Sequence, residues 1–423
     1  MRSTLFYIPA EVAGWPLFGW GIILAIWAVA SVLLLAWLIR RQGFNRDTRG
    51  YVPVLLLLAI VIIYLLPAIS DANGLPVRGY GVMLLLAVVS GVGMAAYRAR
   101  RMGVDPELIL SLAFWLFVSG ILGARLFYLI EYWDQLVAGK SLKQTLVAAI
   151  SIQEGGLVVY GMLVVGGLAL IAFIYRHRLP GLALADLIAP SVVLGLGLGR
   201  LGCFLNGCCF GGPCELPWAV RFPAGSPPHE QQVRLGQVYG LLVAADADHH
   251  PIVGEIYGNL PAAGIGVTGG DRILSINGHD VSTLEEAQEQ LVNTFVAEKT
   301  LELKVAGGFL RLSALPGTHE HSRPVHPTQL YSAIDAFLLC LFLIAYYPYR
   351  QHDGELTAMT LTIHAVSRFL LEIIRTDEGP VFGTGLSISQ NISLIVLVVG
   401  IGIWIYVLRG PRGSVWPAEP VAA

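Results

Sequence analysis

Charge is scarce in this chain. Only 13% of its 423 residues are Asp, Glu, Lys or Arg, while 55% are hydrophobic. A soluble protein of this length needs far more charge on its surface, and the mean hydropathy of +0.67 says the same. A net charge of -2 and an isoelectric point near 6.6 leave no basic excess to hold a phosphate backbone, so nucleic acid is excluded as a partner. A His-Glu-x-x-His pair is also missing. Glu320 lies between His319 and His321 at the wrong spacing to hold zinc on one helix face, which excludes an intramembrane metalloprotease of that type. No cleavable signal peptide is evident, because the first apolar block, Leu17 to Ile39, is long enough to span and is followed by Arg40 and Arg41.

The apolar residues fall in blocks of membrane length. About 20 apolar residues cross a hydrocarbon core, and nine blocks qualify: 17–39, 51–69, 79–97, 107–130, 157–175, 183–204, 327–347, 356–374 and 388–408. The sixth has the weakest pattern, since Leu194 to Cys203 is rich in glycine. Basic residues follow the odd-numbered spans: Arg40, Arg41, Arg46 and Arg49, then Arg98, Arg100 and Arg101, Arg176 and Arg178, Arg350, and Arg409 and Arg412. The positive-inside rule therefore expects the N-terminus outside and the C-terminus in the cytoplasm. It also expects the long 205–326 segment on the outer face.

Within that segment, residues from about 233 to 315 change character. Gly269-Gly270-Asp271 leads into Arg272-Ile273-Leu274-Ser275-Ile276 and then Asn277-Gly278, a strong hairpin signal. Thr283 to Val292 has the pattern of an amphipathic helix. Leu301 to Val305 and Phe309 to Leu315 alternate like a second hairpin. With Pro261-Ala262-Ala263-Gly264 ahead of it, this order resembles a bacterial PDZ domain. Tyr239-Gly240-Leu241-Leu242 is the candidate loop for capturing a peptide C-terminus. Two readings stand here, a peptide-binding module and an inert spacer.

Ionisable residues inside spans are costly and mark sites by default. Gly199-Arg200-Leu201-Gly202-Cys203-Phe204-Leu205-Asn206-Gly207 ends the sixth span, and His326-Pro327-Thr328-Gln329-Leu330-Tyr331 opens the seventh. His364, Arg368, Glu372 and Arg375 share one face of the eighth. Glu154-Gly155-Gly156-Leu157-Val158-Val159-Tyr160-Gly161 opens the fifth, with Arg125 and Tyr128 in the fourth alongside. Three of these stretches, in this order, resemble the prolipoprotein diacylglyceryl transferase family. Gly79-Tyr80-Gly81-Val82-Met83 fits that family's first helix.

The resemblance covers roughly 79–225 and 323–408. It implies an all-α polytopic membrane protein of about nine transmembrane helices, a seven-helix transferase core preceded by two added helices, with a small α/β PDZ-like domain inserted. The expected division is 1–75 for the added helices, 76–228 for the first part of the core, 229–318 for the insert, 319–410 for the last three helices and 411–423 for a cytoplasmic tail. The implied location is the bacterial inner membrane.

The implied reaction moves the diacylglyceryl group of phosphatidylglycerol onto the lipobox cysteine thiol of a prolipoprotein signal peptide, releasing glycerol 1-phosphate, with no cofactor and no metal. On the family pattern Arg200 and Arg368 hold and stabilise the departing phosphate, and Glu372 orients Arg368 and Arg375. Tyr80, Asn206 and Gly211 fall near the lipid head group. Arg125 either contacts substrate or closes a buried ion pair with Glu131 or Glu372. His326 and Gln329, with Tyr331 nearby, either contact substrate or cap the seventh span. Two other functions stay open: a phospholipid-using transferase with another acceptor, and a membrane scaffold built around the insert.

The chain departs from the family pattern at Tyr160, where the family has the histidine proposed as thiol base, and at Cys203 and Cys208. Tyrosine, with a pKa near 10, is a poor base at neutral pH. Either His364 or His326 replaces it, or an acidic enough thiol needs no base. Cys203, Cys208, Cys209 and Cys214 are expected to form a disulfide first, to pack as thiols second, and to bind metal last, since adjacent Cys208 and Cys209 suit tetrahedral zinc poorly.

Overall fold

A computed structural model describes the chain apart from residues 1–3, 44–45, 72, 138–140, 142–144, 146–148, 150–157, 259, 263–267, 297–299, 307, 315, 319, 377–378, 380, 382 and 417–423. Among the described residues, nine helices are long and apolar enough to cross a membrane. The chain forms two compact units, one of Thr4–Val82 with Ala95–Gly181, the other of Met83–Met94 with Leu182–Ala423.

In the first unit, Ile22–Gln42 forms the first span. It starts later than its apolar block because Thr4–Ile8 pairs antiparallel with Leu75–Arg78, and Glu11–Val12 with Trp15–Pro16. The sequence pattern gave no sign of these strands. The second span, Tyr51–Ala68, carries a wider π-type turn over Val61–Leu65. Asp105 caps the fourth span, Pro106–Glu131, by accepting from the Glu107 amide at 3.0 Å. The fifth span, Val159–His177, crosses the fourth at a pair of glycines. A Cβ on Gly123 would stand 2.4 Å from the Gly161 carbonyl oxygen, and one on Gly161 would stand 2.2 Å from that of Gly123. Only glycine permits this approach. Gly161 is therefore spent on packing against the neighbouring span.

In the second unit, the glycine-rich tail of the sixth span stays helical through Gly181–Asn206. A Cβ on Gly197 would meet the Phe337 ring of the seventh span at 2.7 Å, so Gly197 serves helix packing. Asp186, fully buried in the same helix, accepts from the Gly354 and Thr357 amides at 2.7 and 2.8 Å and from the Thr357 hydroxyl at 2.7 Å. It satisfies N–H groups that the eighth span, Glu355–Ile373, leaves open at its start. The seventh and ninth spans are Thr328–Tyr346 and Ile388–Arg409.

The insert has its own core, from Val233 through Ile273, Ile276, Leu291 and Phe295 to Leu312. Its four-stranded antiparallel sheet runs 308–312, 301–305, 273–276 and 279–280 across the face. Asn277 and Gly278 take φ of 49° and 81°, the primed turn that their pairing predicts. The helix runs Leu284–Val296, and a separate hairpin joins Leu241–Ala245 to Pro251–Ile256. Helix Pro227–Arg234 belongs to the insert as well: Val233 lies in its core and His229 packs on Phe295 at 4.5 Å. A cut at residue 229 or 233 would therefore fall inside this helix.

Candidate functional site

The second unit gathers a cationic cluster at the ends of the sixth, eighth and ninth spans. Glu372 is only 5% exposed. Its Oε2 accepts from Arg368 Nη1 and, at 3.0 Å, from Arg375 Nη1, while its Oε1 accepts from the Ser387 hydroxyl at 3.2 Å. One carboxylate thus fixes two guanidiniums one turn apart on either side. Arg368 also donates Nη2 to the Ser389 hydroxyl at 2.9 Å. Ser387 and Ser389 are held because Ser387 and Gln390 form a reciprocal capping box at the start of the ninth span.

Arg200 lies within electrostatic reach of Arg368 and His364. Among the described residues it forms no hydrogen bond and no ion pair. Asp335, from the seventh span, accepts from Ser367 at 2.8 Å and faces His364. Three guanidiniums against the carboxylates of Glu372 and Asp335 leave one positive charge in excess, with His364 counted as neutral and the neighbouring Cys209 thiol left out of the count. The buried Nδ1 of His364 has no partner among the described residues. The cluster is half-buried and presents an electrostatic environment that negative charge would complement.

The loop after the sixth span is pinned from below. Gln329, 1% exposed, donates Nε2 to the Cys208 carbonyl at 2.7 Å, and Thr328 donates its hydroxyl to the Cys209 carbonyl at 2.7 Å. The Gly211 amide donates to the His326 carbonyl at 3.0 Å, and Gly211 bridges to Arg375. A Cβ there would meet His326 Cβ at 2.7 Å and Thr328 Cγ2 at 2.8 Å, so glycine is required. Tyr331 accepts from Trp218 Nε1 at 2.7 Å and stands 3.3 Å from His326 Nδ1. Gln329, buried, and the His326 backbone thus position the loop, and the start of the seventh span, with Pro327 at its N-cap, receives no side-chain capping bond.

Comparison with known proteins decides the family. The prolipoprotein diacylglyceryl transferase family model matches residues 67–406. A phosphatidylglycerol–prolipoprotein diacylglyceryl transferase of Rhodopirellula baltica is 34% identical over 95% of this chain and 88% of its own length. One of Clostridium tetani is 24% identical over 80% of this chain and 96% of its own. One of Trichormus variabilis is 35% identical over 38% of this chain and 55% of its own. The chain belongs to the prolipoprotein diacylglyceryl transferase family.

Other residues singled out on the family pattern divide between the units. Tyr80, Arg125 and Tyr160 belong to the first, whereas Arg200, Asn206, Gly211, His326, Gln329, Tyr331, His364, Arg368, Glu372 and Arg375 belong to the second. Arg125 is buried, donates Nε–H to the Ala149 carbonyl at 2.9 Å and packs 4.9 Å from the Tyr128 ring. Tyr160 is 44% exposed and Tyr80 also stands exposed. Glu154 to Leu157 lie outside the described residues. Asp335, Ser387 and Ser389 escaped the sequence reading. Asp335 alone carried a signal, a lone carboxylate inside an apolar span.

The disulfide expected first among the cysteines is absent, and all five are free thiols. Cys214 is buried apart and its Sγ accepts from the Leu216 amide. Cys203, Cys208 and Cys209 bring their sulfur atoms within 4.8 Å of one another. Hydrogen bonds from the Cys203 and Cys208 thiols, aided by the charges of Arg375 and Arg200, hold Cys209 far below the ordinary thiol range against the cost of burial.

Proposed function

We propose that this chain transfers the diacylglyceryl group of phosphatidylglycerol to the lipobox cysteine thiol of prolipoproteins in the bacterial inner membrane. The observation that carries it is the uncommitted guanidinium of Arg200 beside the Arg368–Glu372–Arg375 cluster, in a family whose named members perform this transfer. The substrate sulfur forms a bond to the glyceryl carbon, the carbon–oxygen bond to phosphate breaks, and the electron pair leaves on the phosphate of glycerol 1-phosphate. Arg200 and Arg368 receive that growing charge, and Glu372 holds Arg368 in place for it. The unbonded Nδ1 of His364 supports it over Tyr160 as acceptor of the thiol proton. Basic loops after the odd-numbered spans favour the N-terminus and the insert on the periplasmic side and the C-terminus in the cytoplasm.

Arg200→Ala should insert normally and lose roughly 100- to 1,000-fold in turnover, as loss of a preorganised charged donor does. Near wild-type release of glycerol 1-phosphate by that variant, with phosphatidylglycerol and a lipobox peptide, would remove Arg200 from the mechanism.

The insert supports a second role, peptide binding by strand addition. Among the described residues Leu241–Ala245 pairs only with Pro251–Ile256, next to helix Leu284–Val296. The Gly240 amide is already bonded to the Gly236 carbonyl at 2.8 Å, so the carboxylate of such a peptide must find other donors. Replacing 227–318 by a short Gly/Ser linker should leave transfer to a free lipobox peptide measurable. Loss of activity in a variant that still purifies as a folded membrane protein would make the insert part of the active site.

A further inference from the structure

The clustered thiols of Cys203, Cys208 and Cys209 have no part in the transfer reaction, and their arrangement is unusually well supported. Cys203 sits in the last turn of the sixth span, and the other two sit on the turn that follows. Cys209 holds φ at 59°, a left-handed conformation that a side chain rarely adopts without tertiary support. The support comes from the Gln329 and Thr328 side chains, which bind the carbonyls of Cys208 and Cys209 at 2.7 Å each. The three sulfurs lie within 4.8 Å of one another. A metal–sulfur bond of about 2.3 Å in a trigonal arrangement needs sulfurs about 4 Å apart. A disulfide would need two of them at about 2 Å.

We propose that Cys203, Cys208 and Cys209 form a three-thiolate site for a soft d10 cation, with Cu(I) as its occupant. Thiolates select soft metals, and a set of three sulfurs suits Cu(I), whereas structural zinc requires a fourth protein ligand. Cys214 cannot supply that fourth ligand from its separate, buried position. Binding releases the protons the thiols carry and leaves a centre of charge −2 within electrostatic reach of Arg200 and Arg375. The adjacency of Cys208 and Cys209 does not hinder three-coordination, because the left-handed turn at Cys209 lets both sulfurs join Cys203.

The test uses the purified full-length chain in detergent, under anaerobic conditions, titrated with Cu(I) from a chromophoric chelator. One Cu(I) per chain should be retained. Cys203→Ser, Cys208→Ser and Cys209→Ser should each weaken retention by more than the roughly 10- to 100-fold that loss of a supporting partner costs. Cys340→Ser, buried in the seventh span, should change nothing. A second measurement needs no variant: alkylation of the wild type, read by peptide mass, should show Cu(I) protecting Cys203, Cys208 and Cys209 together. Failure to hold Cu(I) against the chelator would overturn the proposal. So would retention unchanged in Cys209→Ser, protection of any other set of cysteines, or preference for Zn(II) over Cu(I).

Discussion

Exchanging the Glu372 carboxylate for an amide tests the cationic cluster at its centre. In Glu372→Gln the shape is kept but the charge goes, and one oxygen becomes an NH2 group. Oε2 serves both Arg368 and Arg375, and Oε1 serves Ser387. With the amide turned to the arginines, its two N–H groups oppose donors; turned to Ser387, they meet a hydroxyl that can rotate to accept. If they face the arginines, both guanidiniums lose their acceptor. If they face Ser387, the arginines keep a neutral oxygen in place of a charged one. Each charge-assisted bond contributes about 1.5–3 kcal/mol, and breaking a buried pair costs about 3–5 kcal/mol. Taking about 3 kcal/mol as the loss in holding Arg368 where the leaving phosphate develops, turnover should fall roughly a hundredfold. Ser387→Ala removes the N-cap of the ninth span and one uncharged donor to Glu372; the donor alone bears on the carboxylate, about 1 kcal/mol, so turnover should fall roughly fivefold. The assay is release of glycerol 1-phosphate from phosphatidylglycerol in mixed micelles, with size-exclusion behaviour confirming each fold. Turnover of Glu372→Gln within about threefold of wild type would refute the positioning role.

Two further outcomes concern proton chemistry. Tyr160→Phe should lower the rate modestly, and Tyr160→His should be tolerated or faster; complete loss in Tyr160→Phe with a pH profile displaced towards roughly 10 would make the phenolate the base. A Cys209 pKa held low leaves its thiolate present across neutral pH, so alkylation of Cys209 should stay nearly flat from roughly pH 6 to 8. A rate climbing about tenfold per pH unit there would show an ordinary thiol instead.

What the sequence disclosed followed physical strength. The nine apolar blocks and the one-sided row of His364, Arg368, Glu372 and Arg375 were legible because a bilayer tolerates few other arrangements of such residues. The Asn277-Gly278 hairpin was legible because few dipeptides accept two positive φ angles in succession. Asp186 and Asp335 were passed over, since a lone acidic residue in an apolar run does not tell what it meets across the bundle. The roles of Gly123 and Gly161 depend on which helix lies opposite, and that is a tertiary fact. The strands at Thr4–Ile8 and Leu75–Arg78 are 60-odd residues apart and too short to announce their pairing. The thiol cluster looked like a disulfide because spacing along a chain does not reveal the left-handed turn at Cys209.

The two chain segments that join the insert to the membrane core run side by side. Val325 bridges to both Pro213 and Val220, Pro223 bridges to His321, and Gln232 exchanges two hydrogen bonds with Arg323, at 2.8 and 3.2 Å. Mechanically this is a stem, cross-tied at several levels. Its last rung, Val325, is one residue from His326, whose carbonyl holds the Gly211 amide beside Arg375. A load borne by the insert is therefore delivered at the base of the stem, onto the loop that carries the cysteines. The insert is tied to the site below it by this hydrogen-bonded ladder, whatever it binds.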